Sequence, residues 1–261
     1  EDGIRDSSTS RGLVVVFQRQ PYDPLNAVMT ESLQEPSSAH PFGTDKLGRD
    51  LLSRVIFGTR TSLIMTLCLV AVIFVIGTFL GVIAGYFGGV VDAVIMRIAD
   101  MMISFPGLVL AIAIAGMLGP NLVNAVISIA AVSWTKYARL ARSMVLKVKK
   151  SLYIEAAIVN GTKTWKILLV HILPNMVTQM VVTAAADIGT MMLELASLSF
   201  LGFGATAPTP EWGLMLNEGR TYMAKAPWLM IYPGIAIVIC VVVFNMLGDS
   251  IRDVLDPRQD Q

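Results

Sequence analysis

Long stretches without a charged residue constrain this chain more than any other feature of its sequence. No Asp, Glu, Lys or Arg occurs at positions 61–91, 101–135 or 226–248. A helix needs about 20 consecutive apolar residues to cross the hydrocarbon core of a membrane. Only 15% of the 261 residues are charged, whereas ordinary soluble domains have about 25%. We therefore expect an integral membrane protein.

The membrane spans should be helical, because a backbone in lipid must satisfy its own hydrogen bonds. The predicted fold class is therefore an all-α, polytopic bundle. The five spans expected cover residues 63–86, 93–118, 122–148, 175–199 and 228–250. Phe105-Pro106 is expected to bend the second span. Gly77, Gly81 and Gly85 recur every four residues in the first span, which favours close contact with a neighbouring helix.

The distribution of Lys and Arg predicts the orientation of the spans. Segment 136–166 holds eight basic residues and one acid, Glu155, whereas loop 203–227 holds two residues of each sign. Positive charge accumulates on the cytoplasmic side of a membrane. The basic loop and the C-terminus are therefore expected in the cytoplasm, and loop 203–227 and segment 22–60 outside it.

The basic loop at 149–175 has the pattern of a docking site for another protein. Ser151 suits the N-cap of a short helix, and Gly161 suits the left-handed residue that ends such a helix. Between them, the run Glu155-Ala156-Ala157 combines one charge with a shallow face that a partner can approach closely. Pro174 cannot continue a helix from upstream, so the next span is expected to open there.

This loop resembles the EAA loop of permease subunits in ATP-binding cassette importers. The matching residues are Glu155-Ala156-Ala157, Gly161 and His171-Ile172-Leu173-Pro174-Asn175. The common form of the loop has Ile at the position of His171, and the form with His is similar to that of the peptide and nickel branch. Four further segments resemble the C-type subunit of that branch, namely residues 40–50, 198–204, 208–213 and 245–257.

The resemblance covers residues 22–258 and implies the helical bundle of a type I importer permease. Permeases of that kind have six spans, with one before Tyr22. In this chain the apolar run at 13–17 is too short to cross a membrane. We expect a sixth span in the natural chain. The expected parts are an N-terminal remnant of that span (1–21), an extracytoplasmic segment (22–60), the permease domain (61–251) and a cytoplasmic tail (252–261).

The resemblance also implies a function, namely one half of a heterodimeric pore for ATP-driven import of dipeptides or oligopeptides. The expected partners are a second permease subunit, two ATPase subunits, an extracytoplasmic substrate-binding protein and the lipid of a bacterial or archaeal inner membrane, without nucleic acid. The chain has no Gly-x-x-x-x-Gly-Lys-[Ser/Thr] phosphate loop. ATP and magnesium are therefore expected on the ATPase subunits, and no catalytic residue, cofactor or metal site is expected in this chain.

Three groups of residues are candidates for function. The resemblance assigns Glu155, Ala156, Ala157 and Gly161 to contact with the ATPase. Asp187 and Glu194 are seven residues apart and so share one helical face. An acid at membrane depth costs about 2.5–3.5 kcal/mol, so these two acids either line a translocation path for a cationic or zwitterionic solute or form hydrogen bonds inside the bundle. Glu211 and Trp212 are candidates for contact with the substrate-binding protein.

Three alternative functions stay open at this point. A nickel or metal-chelate importer has the same architecture and shares these sequence motifs. A self-sufficient secondary transporter would predict an internal repeat with paired broken helices, and the sequence has no such repeat. A membrane enzyme would need a catalytic pair, yet the predicted spans contain no His and no nucleophile beside a base.

Overall fold

The structure, a computed structural model, describes residues 22–255. In this range the chain is mainly helical, and extended residues pair only at a bridge between Thr44 and Asp50. The helices are α1 (Leu51–Phe87), α2 (Gly89–Ile103), α3 (Gly107–Leu118), α4 (Leu122–Lys149), α5 (Leu152–Val159), α6 (Thr164–Phe200), α7 (Trp212–Gly219) and α8 (Trp228–Leu255). The all-α prediction is confirmed. Segment 1–21, with its predicted remnant of a first span, and residues 256–261 lie outside the described residues.

Three of these helices, α1, α6 and α8, are long and apolar enough to cross a membrane. α2 and α3 meet the same criteria only as a pair, and they are bent by 92° relative to each other, which confirms the bend predicted at Phe105-Pro106. α4 has the length of a span but not its hydropathy, because basic residues occupy its second half. For residues 22–255 the prediction of five apolar spans is therefore too high, and the helices support three or four.

α1 and α4 make the most extensive helix contact in the described part of the chain, and they run parallel to each other. A methyl carbon added at Gly77 would lie 2.5 Å from the carbonyl oxygen of Trp134. One added at Gly81 would lie 2.3 Å from the carbonyl oxygen of Ala138. Interiors are close-packed, so no side chain fits at these distances. The glycine stripe therefore lies in a close helix contact, as the sequence predicts.

The basic residues of α4 are matched by acids on α2. Arg142 donates to both carboxylate oxygens of Asp92, and Arg139 pairs with Asp100. These ion pairs hold α2 against α4, although Ala99 is the one fully buried residue of α2. α4 can therefore pack inside the bundle without being apolar along its whole length.

A polar cap, defined as residues 22–50 and 201–227, closes the N-terminal end of α1. Its interior contains charged side chains that are paired with one another. Arg49 Nε donates to Asp45 Oδ2 at 2.6 Å, and Arg54 Nε lies 3.5 Å from the same oxygen. Both arginines are 1% exposed. Because a buried charge is costly unless it is paired, this network makes the position of the cap on the bundle specific.

Candidate functional site

The loop helix, α5, lies in the chain between α4 and α6, where the sequence predicts a docking site. It ends at Gly161, which has the left-handed φ of 74°. The amide of Gly161 donates to the carbonyl of Ile158, and the amide of Thr162 donates to that of Ala157, both at 3.0 Å. This pair of bonds is a Schellman motif, so the predicted end of the helix is confirmed. Ser151 occupies the N-cap position, but its hydroxyl makes no capping bond.

Nearly all side chains of the loop helix face outward. Ile154 is its one fully buried residue and packs into the main hydrophobic core. Glu155 and Ala156 are exposed, and Ala157 is half-buried. The exposed large apolar side chains on and beside the helix are Leu152, Tyr153, Ile158, Val159 and Trp165. Several large apolar side chains exposed on one short segment are typical of an interaction site, so this segment is suited to contact with another protein.

The helix after this loop begins earlier than the sequence suggests. The sequence predicts that a new span opens at Pro174, and the regular α-helical part of α6 does begin at Leu173 with Pro174 in its first turn. A helical segment that starts at Thr164 runs into it without a break, so α6 as a whole begins earlier. Residues Ile167–Ile172 form a π-helical turn directly before Leu173. A π-turn changes which carbonyl each amide meets, so it accommodates a residue that has no amide hydrogen. The end of the loop and the apolar helix are therefore one continuous element.

A cavity of about 400 Å³ lies between α4, α6 and the elbow that joins α2 to α3. Asp187 and Glu194 both line it, as expected of acids on one face of a helix. Phe105 of the elbow also lines the cavity, which places the bend at its wall. The other polar side chains of the lining are Ser133, Thr135, Lys136, Tyr137 and Thr190.

The two acids of the cavity differ in their partners. Asp187 is 6% exposed, and it accepts hydrogen bonds from Lys136 Nζ at 2.6 Å and from Tyr137 Oη at 2.9 Å. Glu194 is half-buried and has neither a hydrogen bond nor an ion pair with any residue between 22 and 255. The charge of Asp187 is therefore neutralised within the chain, while the carboxylate of Glu194 is available to a ligand.

Lys136 and Tyr137 belong to this cavity, although no sequence motif assigns them to it. They are 51 and 50 residues away from Asp187 in the chain. One signal was present in the sequence, since an acid at membrane depth needs a partner. Lys136 directly follows the apolar stretch 101–135 and is therefore a basic residue within reach of that depth.

Glu211 and Trp212 lie inside the cap, where they are 1% and 2% exposed. Glu211 caps α7 by accepting hydrogen bonds from the amides of Gly213 and Leu214 at 2.9 and 2.8 Å. Burial raises the pKa of the Glu211 carboxyl, and these two amides oppose that shift. The indole of Trp212 donates to the carbonyl of Val55 at 2.9 Å. This burial contradicts the hypothesis that the two side chains contact a substrate-binding protein, because both are occupied within the chain.

Comparison with known proteins finds relatives over most of the length of the chain. Residues 77–261 match the family described as binding-protein-dependent transport system inner membrane component. The chain is 47% identical to the glutathione transport system permease protein GsiD of Pectobacterium atrosepticum, over 91% of this chain and 79% of that protein. It is 46% identical to the dipeptide transport system permease protein DppC of Alkalihalophilus pseudofirmus, over 87% of this chain and 74% of that protein.

A further relative and a solved structure complete the comparison. The nickel transport system permease protein NikC of Escherichia coli is 40% identical, over 91% of this chain and 86% of that protein. An inward-facing structure of the MetNI methionine ABC transporter matches with a TM-score of 0.64, over 79% of this chain and 98% of that chain. Its identity is 19%, so it supports the fold alone. The chain belongs to the family of binding-protein-dependent transport system inner membrane components and is a multi-pass membrane permease of the ABC transporter type.

Proposed function

We propose that this chain is the permease subunit of an ATP-driven importer of short peptides. Relatives named for dipeptide and glutathione transport, at 46% and 47% identity, support peptides as the solute. The structural observation that carries the proposal is the loop helix, whose exposed surface includes apolar side chains and ends at a left-handed glycine. A permease that is driven by a separate ATPase needs a surface of this kind.

The contact with the ATPase involves Glu155, Ala156, Ala157 and Gly161 in this proposal. The two alanines allow the partner's surface to approach the helix backbone, and Glu155 offers it a charge. Gly161 sets the direction in which the chain leaves the helix, because its backbone conformation strains other residues. The large exposed apolar side chains around these residues supply area that contact with the ATPase would bury.

A displacement of the loop helix reaches the cavity through two long helices. α4 ends at Lys149, directly before the loop helix, and it carries Lys136 of the cavity wall. α6 begins at Thr164, soon after the loop helix, and it carries Asp187 and Glu194. ATP binding and hydrolysis on the ATPase, where magnesium is also bound, thereby bias the bundle between inward-open and outward-open states.

The complete importer contains a second permease subunit, two ATPase subunits and an extracytoplasmic substrate-binding protein. The cavity forms part of one wall of the translocation path, and the second permease supplies the other wall as a heterodimer partner. The excess of eight basic residues over one acid in segment 136–166 supports a cytoplasmic position for the loop helix. The description of the family supports the inner membrane as the location.

Reconstitution tests this proposal. The chain is co-expressed with its partner subunits, and ATP-dependent uptake of radiolabelled dialanine into proteoliposomes is measured with the binding protein present. Glu155→Lys changes an exposed side chain, so it should abolish uptake without reducing the amount of folded protein. Glu35→Lys makes the same change at an exposed residue of the cap and should retain uptake. Equal uptake by the two variants would contradict the coupling role, and no ATP-dependent uptake of any peptide would contradict the function.

A nickel or metal-chelate importer is the second candidate function. It is favoured by the 40% identity to a permease named for nickel transport. The two functions share one architecture, so the permease fold does not separate them. Uptake of radiolabelled nickel and of dialanine by the same proteoliposomes does, because ATP-dependent accumulation of only one of them identifies the solute.

A further inference from the structure

We infer that the cavity holds both ends of a short zwitterionic peptide, with Glu194 binding the ammonium group and Lys136 binding the carboxylate. The inference rests on the proposed function, since it names how the permease recognises the solute of that importer. It also changes the assignment of Asp187, which becomes a positioning residue that holds Lys136 and does not contact the solute.

Glu194 is the anionic end of this subsite. Its carboxylate lines the cavity, is half-buried and has no hydrogen bond or ion pair within the described range 22–255. A partly buried carboxylate that accepts no hydrogen bond attracts a cation more strongly than one in water, because the surrounding dielectric is lower. A primary ammonium group supplies three hydrogen-bond donors. The N-terminus of an unmodified peptide therefore fits this position.

Lys136 is the cationic end. Its side chain is 60% exposed although its Nζ lies 2.6 Å from Asp187. That contact uses one of the three donors of the ammonium group, so two remain for a carboxylate. Asp187 fixes the position of Nζ and is itself fixed by the hydroxyl of Tyr137 at 2.9 Å. The pair therefore presents a positioned donor to the cavity.

The separation of the two ends limits the length of the solute. Asp187, which holds the Lys136 ammonium, and Glu194 are seven residues apart on α6, a rise of about 10 Å in an α-helix. An extended peptide covers about 3.3–3.6 Å per residue, so two or three residues connect the ends. The cavity of about 400 Å³ also offers apolar surface to peptide side chains through Ile103 and Phe105, which are both exposed. The cavity can therefore bind the termini of peptides that differ in their side chains.

Equilibrium binding to the assembled complex tests the subsite directly. The permease pair with its ATPase subunits is placed in nanodiscs without the binding protein, and the affinity for dialanine, N-acetyl-dialanine and dialanine amide is measured. The wild type should bind dialanine about tenfold more tightly than either capped peptide, the size expected for one hydrogen bond to a charged group. Glu194→Gln should remove the preference over N-acetyl-dialanine and keep the preference over dialanine amide.

Lys136 is tested by a double variant, because removing the lysine alone would leave a buried charge at Asp187 without its cation. Lys136→Met with Asp187→Asn should remove the preference over dialanine amide and keep the preference over N-acetyl-dialanine. Glu194→Asp retains a carboxylate and should keep both preferences. Glu35→Gln, at an exposed residue of the cap, is the control for a lost negative charge and should change neither.

The outcomes separate this inference from the proposed function. Equal affinity of the wild type for the three peptides, or no measurable binding of dialanine, would overturn the subsite. An unchanged preference in Glu194→Gln would do the same. If such complexes still import dialanine in an ATP-dependent manner once the binding protein is added, the proposed function stands without the subsite. If the wild-type complex does not import dialanine when ATP and the binding protein are present, the proposed function is overturned instead.

Discussion

The cap and the loop helix lie at opposite ends of α1, and they differ in which side chains they bury and which they expose. Arg49 in the cap and Arg54 in the first turn of α1 are almost completely buried, and both lie within 3.5 Å of carboxylates of the same chain. In the loop helix, Leu152 is 83% exposed and Val159 is 85% exposed. The charged groups at the cap are thus buried in ion pairs, while the loop helix exposes apolar side chains.

This difference indicates which region stabilises the subunit itself and which region is suited to contact with another protein. Buried charged residues must find their partners during folding, so the cap belongs to the stability of the subunit. Exposed apolar residues next to a basic segment contribute little to the folded state of the isolated chain. Changes in the cap should therefore lower the free energy of unfolding, whereas changes in the loop helix should lower coupling at nearly constant stability.

The largest effect is expected for Asp45→Ala in the cap. Asp45 accepts from Arg49 at 2.6 Å and lies 3.5 Å from Arg54, so its loss leaves two buried guanidinium groups with only Glu218 as an acid nearby. Removing one partner of a buried ion pair costs about 3–5 kcal/mol. Thermal unfolding in detergent should show a large drop in midpoint, while the exposed Glu35→Ala should unfold like the wild type.

The next largest effect is expected in the helix contact that joins the two regions. In Gly81→Val, the new side chain would begin 2.3 Å from the carbonyl oxygen of Ala138. Overpacking of this kind costs about 1–3 kcal/mol, and a backbone atom cannot turn aside as a side chain can. Yield and unfolding midpoint should both fall. Gly116→Ala is the control, because its added carbon would lie 3.6 Å from the ring of Phe203, at ordinary contact distance.

The sequence predicted those features that depend on local pattern. The charge-free stretches indicated an all-α membrane protein, and the bend at Phe105-Pro106 and the helix end at Gly161 both occur. Each of these follows from the conformational preference of residues that are adjacent in the chain. Pro174 lies in the first turn of the regular α-helix, as predicted, but the extension of α6 back to Thr164 was not predicted. It depends on the π-turn at Ile167–Ile172, which the pattern of apolar residues does not indicate.

Features that depend on distant contacts could not be read from the sequence. Glu211-Trp212 looked like a surface motif in a loop, but Trp212 packs against Gly58 and donates to Val55, more than 150 residues earlier in the chain. The sequence predicts α4 as an ordinary span, whereas in the structure its basic residues form ion pairs with acids of α2 and α6. Lys136 gains its position in the cavity from one of those contacts. Burial and partner choice are properties of the assembled bundle rather than of any segment.

A smaller effect on stability, with a large effect on function, is expected at the end of the loop helix. Gly161→Val forces a β-branched residue into a left-handed backbone, which costs about 1–2 kcal/mol. A carbon added at Gly161 meets nothing within 4 Å, so no clash adds to this cost. Uptake of dialanine should be lost while the unfolding midpoint changes little. Gly161→Asn should retain uptake, because Asn tolerates this conformation, and equal loss in both variants would show that side-chain bulk rather than conformation matters.

The smallest effect on stability is expected for Glu211→Gln. Its dependence on pH tests whether the cap buries this carboxyl in its neutral form. Burial raises the pKa of Glu211 in the folded state above its ordinary value of 4.5. Between 4.5 and the raised pKa the folded state keeps a proton that the unfolded state has lost, so the free energy of unfolding falls as pH rises through this window. Gln cannot titrate and should remove that slope, at a cost of about 1 kcal/mol for the one capping bond that is lost, because the NH2 group of Gln cannot accept a hydrogen bond. Unfolding midpoints measured from pH 4 to pH 8 for both proteins check the difference. If the midpoints of the two proteins change with pH in the same way, Glu211 is ionised in the folded state over the whole range. The cap would then hold a buried carboxylate charge at Glu211 in spite of its burial.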